Sequence, residues 1–189
     1  MIGGVLLAAG AGSRFAAAGG GVKVLAPVEG RPLVEWALTA LEAAPLGDRV
    51  IVLGAHGDEV LAAIDLHGAR PVSNAQWERG MASSLRAGLE ALDPACTAAL
   101  VVLADGPSLA PEAIRRVAVA AAGAEGLVSA RYGDRNGHPV AIPRSLWAQL
   151  PCEGEQGARM LGAPAVLVDC SDLPAPGDAD TPADLAPRT

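Results

Sequence analysis

A glycine-rich turn with two nearby basic residues is the part of this sequence best suited to chemistry. Residues 7–15 read Leu-Ala-Ala-Gly-Ala-Gly-Ser-Arg-Phe, and Lys23 follows after an alanine- and glycine-rich stretch. Glycines expose backbone amides, and successive amides that point to one spot bind anions, so this turn suits phosphate groups with Arg14 and Lys23 as countercharges. The alternative is a tight turn without a ligand, which a lone Gly-x-Gly leaves open.

Two familiar nucleotide-binding motifs do not match this turn. In the dinucleotide motif Gly-x-Gly-x-x-Gly the third glycine would fall at Phe15, and Gly54 rather than an acidic residue follows the second predicted strand. In the P-loop motif a serine or threonine follows the lysine, whereas Val24 follows Lys23. We therefore expect neither a nicotinamide or flavin enzyme nor a P-loop enzyme.

Two aspartates form the second group of candidate catalytic residues. Asp105 follows an apolar strand and precedes a Gly-Pro pair that ends it, and ligands of open α/β sheets bind at such carboxyl ends. Mg²⁺ takes one or two carboxylates together with waters and phosphate oxygens, so Asp105 beside a phosphate-binding turn is a candidate ligand. Asp180 lies in the acidic tail and is the second candidate. A helix cap or a turn is the open alternative for each aspartate.

The elements that must position these residues alternate between strand and helix. Uninterrupted apolar runs predict strands at residues 5–8, 50–53 and 98–103, and apolarity on both strand faces favours a mostly parallel sheet that helices cover on each side. Apolar residues at helical spacing predict helices at residues 32–42 and 83–92 and after Pro111. Together these elements indicate the α/β class.

The second half of the chain has weaker patterns. They predict strands at residues 127–130, 139–142 and 165–168, and short helices after Pro143 and at 156–161. Two low-complexity stretches, residues 16–21 and the tail after Leu173, are predicted to be loops.

Composition limits the class of protein. The chain has 189 residues, of which 51% are hydrophobic and only 3% aromatic, so we expect one domain over residues 1–189 with a core of small and branched aliphatic side chains. The formal net charge is −7 and no basic patch is visible, which argues against a nucleic-acid partner.

The sequence also predicts a cytoplasmic protein without a membrane partner. No apolar stretch approaches the roughly 20 residues that cross a bilayer, and Met1 begins a strand-like run without a basic leader segment. Cys96, Cys152 and Cys170 lie far apart without the paired spacing of a zinc or redox site, so we expect free thiols.

Several other polar residues have more than one interpretation. Asn74, just past a predicted strand, could contact a nucleobase or form a turn. Ser83 and Ser84 stand at the start of a predicted helix, where they could cap it or use its N-terminus to hold an anionic ligand. His138 is predicted to lie in a turn, and its residue type leaves a ligand role and no chemical role equally open. Arg159 is either a surface cation or a contact to an acceptor phosphate.

An ordered series of motifs resembles the nucleotidyltransferases, specifically the molybdenum cofactor cytidylyltransferases and their close relatives. It begins with residues 7–23 and closes with Asp-Thr-Pro-Ala-Asp-Leu at 180–185. Between them come Gly-Arg-Pro-Leu-Val at 30–34, the tryptophan, glycine and serine pattern of 74–88, residues 103–109, Gly-His-Pro-Val at 137–140 and Glu-Gln-Gly-Ala-Arg at 155–159. The series spans nearly the whole chain.

The resemblance implies a three-layer α/β/α Rossmann-like nucleotidyltransferase fold with a mostly parallel central sheet and a dependence on Mg²⁺. It supports Arg14, Lys23 and Asp105 as catalytic residues, Asp105 and Asp180 as Mg²⁺ ligands, and His138 and Arg159 as acceptor contacts, with His138 donating to a phosphate or pterin. The nucleotide-binding residues that we predict are Leu7, Ala8, Ala9, Gly10, Ala11, Gly12, Arg14, Lys23, Asn74 and Ser84.

The implied reaction is attack by the terminal phosphate of a molybdenum-pterin on the α-phosphate of a nucleoside triphosphate, which releases pyrophosphate. Ala9 resembles the cytidylyl branch, since guanylyl relatives more often carry glycine there, and so favours CTP. A molybdoenzyme or its chaperone is a further expected partner. The alternatives are another nucleotidyltransferase of the same superfamily, acting with GTP or on a sugar phosphate, and a non-catalytic nucleotide-binding module.

This sequence departs from the family pattern at two places. The spacer at residues 16–22 is longer than usual, and Gly106 stands where relatives commonly carry glutamine. The second difference removes a polar side chain near the predicted metal site.

Overall fold

Nine strands and five α-helices make up the part of the chain that the computed structural model describes, residues 1–162 and 164–185. The strands are β1 (Ile2–Ala8), β2 (Pro27–Val28), β3 (Arg31–Pro32), β4 (Asp48–Leu53), β5 (Arg70–Ser73), β6 (Ala98–Leu103), β7 (Val128–Tyr132), β8 (Arg135–Pro143) and β9 (Val166–Asp169). The α-helices are α1 (Ser13–Ala17), α2 (Leu33–Glu42), α3 (Gly57–Ala63), α4 (Met81–Ala91) and α5 (Pro111–Ala121). Short 3₁₀ helices cover Lys23–Leu25, Trp77–Arg79, Arg144–Gln149, Gly157–Leu161 and Pro182–Leu185.

Seven of these strands form one central sheet in the order β5-β4-β1-β6-β8-β7-β9. β5, β4, β1 and β6 pair in parallel, and β7 pairs in parallel with β9. β8 runs antiparallel to both of its neighbours, β6 and β7. The mostly parallel sheet predicted from the apolar runs is therefore confirmed.

Helices cover both faces of the sheet, which gives three layers. Consecutive residues of β1 show why its sequence is apolar without alternation, because Leu6 belongs to one buried core and Val5 to the other. Helices α2, α3 and α5 contribute to the first core, and α4 contributes to the second. Gly88 lets α4 pack closely on β1, since a Cβ there would lie 2.5 Å from Cγ1 of Val5. The predicted α/β/α architecture is confirmed.

The predicted strands all occur, with shifts of a few residues at their ends. Two predicted short helices, after Pro143 and near residues 156–161, are 3₁₀ helices. Pro32 belongs to the two-residue strand β3, so α2 begins one residue later than predicted. The loop prediction for residues 16–21 was wrong at its start, because Ala16 and Ala17 complete α1. The loop prediction for the tail was wrong at Pro182–Leu185, which form a 3₁₀ helix.

The predicted start of α4 at Ser83 was also wrong. The helix begins at Met81 after Gly80, whose φ of 95° is a conformation that favours glycine. The amide of Ala82 donates to the carbonyl oxygen of Gly154 at 2.9 Å, so backbone from a distant loop occupies this helix end. Ser83 and Ser84 lie inside the helix and do not cap it.

The three cysteines carry free thiols, as predicted, with Cys96 and Cys170 buried and Cys152 exposed. No helix in the described ranges is long and apolar enough to cross a membrane.

Candidate functional site

The pairing of β1 with β6 brings the two candidate segments together. The strands run in parallel with Leu7 opposite Leu103, so the glycine turn that follows β1 and Asp105 after β6 leave the same edge of the sheet. This is the carboxyl edge, where ligands of open α/β sheets bind.

The glycine turn faces open space and leaves its amides free. A Cβ at Gly10 would meet no atom within 4 Å, whereas a Cβ at Gly12 would lie 2.8 Å from Cβ of Lys23. Gly12 also has a φ of 61°, so both its backbone conformation and the approach of Lys23 favour glycine. Among the described residues, no amide of residues 10–12 donates to another protein atom. These amides are available to a ligand.

The lengthened spacer folds over Phe15 and does not keep Lys23 away from the site. Phe15 is 1% exposed, and the amide of Gly20 donates to its carbonyl oxygen at 3.0 Å. A Cβ at Gly20 would overlap the Phe15 ring, so glycine permits this close turn. The chain then enters the 3₁₀ helix that begins at Lys23.

The tail crosses the loop after β6 and delivers Asp180 to the site. The amide of Ala179 donates to the carbonyl oxygen of Asp105 at 3.1 Å, and the amide of Ser108 donates to the carbonyl oxygen of Pro176 at 3.1 Å. Ala179 is fully buried at this crossing. A Cβ at Gly106 would lie 3.0 Å from Cβ of Pro176, so the absence of a side chain at position 106 leaves room for the tail.

Four predicted residues meet in one network of charges. Nζ of Lys23 donates to Oδ2 of Asp105 at 2.6 Å and lies 3.7 Å from Oδ1 of Asp180. Nη1 of Arg14 donates to Oδ2 of Asp180 at 2.6 Å. The Lys23 side chain is 14% exposed, whereas that of Arg14 is 80% exposed. The amine of Lys23 therefore lies between the two aspartates, shielded from solvent.

The two aspartates fit a divalent cation. Oδ1 of Asp105 is buried and has no hydrogen-bond partner among the described residues, and a buried carboxylate oxygen without a partner is costly unless something else satisfies it. No group of three or more histidine, cysteine, aspartate or glutamate residues in the described ranges could hold a metal. A site with two carboxylates suits a cation that takes its other ligands from water and phosphate.

Two adjoining cavities open at this edge. We call the first, about 460 Å³, the nucleotide cavity and the second, about 500 Å³, the acceptor cavity, after the residues predicted to contact each ligand that line them. Predicted residues that line the nucleotide cavity are Leu7, Ala8, Ala9, Gly10, Ala11, Gly12, Arg14, Lys23, Ser84, Asp105 and Asp180. His138 and Arg159 line the acceptor cavity. The cavities share Leu7, Met81, Leu103 and Glu155, so ligands in them would be neighbours.

Acidic side chains outnumber basic ones around the nucleotide cavity. Its lining holds two cations, Arg14 and Lys23, against the four carboxylates of Glu78, Asp105, Glu155 and Asp180. A triphosphate is itself strongly anionic, so it needs an additional cation to enter such a cavity. This charge balance agrees with the fit of the two aspartates to a metal ion.

Asn74 does not line either cavity, although the sequence made it a candidate base contact. It is 7% exposed, and its side-chain amide donates to the hydroxyls of Ser83 and Ser84 at 2.9 and 3.0 Å. It lies behind Ser84, which does line the nucleotide cavity.

The prediction of a turn at His138 was wrong, because this residue lies within strand β8. Its side chain is held in one tautomer. Its Nδ1 lies 3.3 Å from the carbonyl oxygen of Val101, and because a carbonyl only accepts, Nδ1 carries the hydrogen. Burial lowers the pKa of His138 below its ordinary value, so the ring is neutral at pH 7. Its Nε2 is then an acceptor, opposite to the donation expected from the resemblance.

Sequence reasoning missed several residues that line the cavities. In the nucleotide cavity these include Trp77, Glu78, Met81 and Glu155, and in the acceptor cavity Tyr132, Arg135, Asn136, Gln156 and Asp178. Most lie within or beside the quoted motifs, so proximity to those motifs was the available signal.

Known proteins match this chain over nearly its full length. A family model described as the MobA-like NTP transferase domain matches residues 4–169. The chain is 37% identical to nicotine blue oxidoreductase of Paenarthrobacter nicotinovorans, an alignment that covers 94% of this chain and 91% of that protein. The crystal structure of Rv0371c from Mycobacterium tuberculosis is 30% identical, with a TM-score of 0.81, and covers 97% of this chain and 94% of that one. Its complex with manganese is 28% identical, with a TM-score of 0.77 and coverages of 97% and 95%.

Proposed function

The chain belongs to the MobA-like NTP transferase family, and on that premise we propose that it transfers CMP from CTP to the terminal phosphate of a molybdenum-pterin. We propose Mg²⁺ as its metal and residues 1–189 as a single catalytic domain. Its product would pass to a molybdoenzyme or its chaperone, with no role for a nucleic acid.

The observation that carries this proposal is the position of Lys23 between Asp105 and Asp180. The arrangement places a fixed positive charge and two carboxylates beside the free amides of the glycine turn, the groups that in-line transfer at phosphorus requires. Asp105 and Asp180 would hold Mg²⁺, which when bound neutralises phosphate charge. The manganese complex of Rv0371c supports a divalent cation here.

The protein's own groups would mainly align the reactants. The amides of residues 10–12, with Arg14 and Lys23, would bind the triphosphate, and the acceptor cavity with His138 and Arg159 would hold the pterin. A phosphate monoester has a second pKa of about 6 and is already mostly dianionic at pH 7, so no general base is needed. Attack on the α-phosphorus then depends on placing the two ligands side by side.

Ala9 supports the choice of CTP. It lines the nucleotide cavity, and a methyl group in this wall would leave a purine less room than glycine would. A contact of this kind discriminates by at most a few kcal/mol, about 1–3 for one methylene group, so we expect a preference rather than absolute selectivity.

Pyrophosphate release tests the proposal. The purified chain is incubated with Mg²⁺, molybdenum-pterin and either CTP or GTP, with the Asp105→Asn variant as the matched control. We expect release that depends on both the metal and the acceptor, faster with CTP. A faster reaction with GTP would overturn the cytidylyl assignment alone, and binding of CTP without turnover on any phosphate acceptor would favour a non-catalytic module.

A redox function is the second candidate, because the relative with 37% identity is named nicotine blue oxidoreductase. The glycine turn after β1 lacks the third glycine of the dinucleotide motif, where Phe15 stands and is buried. Oxidation of NADH or NADPH in the presence of nicotine blue, without a nucleoside triphosphate, measures this activity directly. Turnover in that assay and none in pyrophosphate release would replace the transferase proposal.

A further inference from the structure

In a buried polar cluster behind the nucleotide cavity, the structure fixes which atoms donate hydrogen bonds and which accept them. Asn74, Ser83 and Ser84 are 7%, 7% and 5% exposed. The backbone amide of Gln76 donates to Oδ1 of Asn74 at 2.9 Å. Because a backbone amide can only donate, this bond fixes which side-chain atom of Asn74 is the oxygen. Its Nδ2 must then donate to the two serine hydroxyls, at 2.9 Å for Ser83 and 3.0 Å for Ser84.

The two serines differ in where their own hydrogens go. Oγ of Ser83 lies 2.9 Å from the carbonyl oxygens of both Gln76 and Gly80, so its hydrogen stays inside the protein. The Gly80 carbonyl, one turn before Ser84, already accepts from the amide of Ser83 at 3.1 Å as well. Among the described residues, the hydroxyl of Ser84 donates to no protein atom, although this side chain lines the nucleotide cavity.

We propose that Asn74 is a positioning residue that makes Ser84 a hydrogen-bond donor to the bound nucleotide. Ser84 already accepts from Asn74, so its hydrogen turns towards the cavity that it lines. The ligand must therefore present an acceptor atom. Cytosine offers two acceptors on its pairing edge, O2 and N3, whereas guanine offers one, O6, beside its donors N1 and N2, so the fixed direction fits cytosine at two positions and guanine at one. This inference rests on the proposed function and adds the direction of one contact to it.

Binding of CTP with Mg²⁺ in the absence of acceptor tests the inference by calorimetry, without turnover. Loss of one neutral hydrogen bond should weaken CTP about fivefold in Ser84→Ala. Asn74→Asp should have a similar effect, because a carboxylate only accepts and would draw the Ser84 hydrogen away from the ligand. Asn74→Ala removes the positioning group without adding charge and should weaken CTP less than Ser84→Ala does.

Ser83→Ala is the matched control, since Ser83 accepts from the same amide but donates inside the protein. It should leave the dissociation constant of CTP unchanged. The double variant Asn74→Asp/Ser84→Ala separates positioning from charge, because it should bind CTP about as weakly as Ser84→Ala alone. Thermal melts of each variant show whether it is folded.

The outcomes separate this inference from the proposed function. If the wild type binds CTP and Ser84→Ala binds it equally well, the donor role is wrong while the transferase proposal stands. If Asn74→Asp weakens CTP further in the Ser84→Ala background, its effect is direct repulsion and the positioning role is wrong. If the wild type binds neither CTP nor GTP, both fall together.

Discussion

Replacing Lys23 with glutamine should make the protein bind Mn²⁺ more tightly when no nucleotide is present. Nζ of Lys23 lies 2.6 Å from Oδ2 of Asp105 and 3.7 Å from Oδ1 of Asp180, the two carboxylates that would hold the metal. A metal ion that uses these oxygens must first displace the amine. Glutamine has no charge, so the variant releases both carboxylates from this competition.

The degree of burial sets the size of the expected change. Exposed ion pairs are worth about 0–1 kcal/mol, whereas breaking a buried pair costs about 3–5 kcal/mol. The side chains of Lys23 and Asp105 are 14% and 27% exposed, between these limits. We therefore expect the binding of Mn²⁺ to become about 1.5–3 kcal/mol more favourable, which corresponds to an affinity roughly 10 to 150 times higher.

Arg14→Gln is the matched control, because within the described part of the chain Arg14 pairs with Asp180 alone, and its side chain is 80% exposed. The affinity of this variant for Mn²⁺ should differ from that of the wild type by at most about fivefold. Electron paramagnetic resonance of free Mn²⁺ measures the affinity for metal, and calorimetry measures that for CTP. CTP binding should change in the opposite direction and weaken in both variants, since a phosphate countercharge is lost.

An unchanged or weaker affinity of Lys23→Gln for Mn²⁺ would refute this reasoning. It would mean that the metal does not compete with Lys23 for Asp105 and Asp180. Tighter binding of both Mn²⁺ and CTP would instead contradict the role of Lys23 as a phosphate contact.

Four further substitutions test other parts of the site. Asp105→Asn and Asp180→Asn should each lower pyrophosphate release about 100-fold or more. Wild-type activity of Asp180→Asn at limiting Mg²⁺ would mean that the tail motif is a helix cap and that Asp180 is not a metal ligand. Burial lowers the pKa of His138 below 6.5, so the unfolded chain takes up this proton at a higher pH than the folded protein does. The contribution of His138 to stability is therefore complete above pH 6.5 and is lost as the pH drops below it. Urea titrations should show that the free energy of unfolding falls less between pH 7 and pH 5 in His138→Asn than in the wild type. An equal fall in both proteins would exclude His138 as the source of this loss. Ala9→Gly should lower the ratio of kcat/KM for CTP over GTP, and a higher ratio would contradict the steric role of the methyl group.

The sheet was predictable because its signal is local and repeated. Val5 and Leu6 face opposite cores, so burial of both sides is already visible as uninterrupted apolarity. The same signal marks β6, and chain order then places the glycine turn and Asp105 at strand ends. Because β1 and β6 pair in parallel, their carboxyl ends lie at the same edge of the sheet and bring the glycine turn and Asp105 together.

The start of α4 was not predictable in the same way. Serines are favoured at helix N-termini, which made Ser83 and Ser84 reasonable caps. The helix instead starts at Met81, because Gly80 adopts a positive φ and the Gly154 carbonyl accepts from the amide of Ala82. That partner lies more than 70 residues away, so local residue preferences could not reveal it.

Gly106 shows how a local interpretation can miss the function of a substitution. In sequence it only removes a polar side chain close to the predicted metal site. In the fold, a Cβ at this position would lie 3.0 Å from Pro176, within the segment that carries Asp180. Ala179 holds that segment by donating to the carbonyl oxygen of Asp105. A side chain at position 106 would require Pro176 to move by a few tenths of an ångström, so glycine eases the close approach of the segment that carries the second carboxylate.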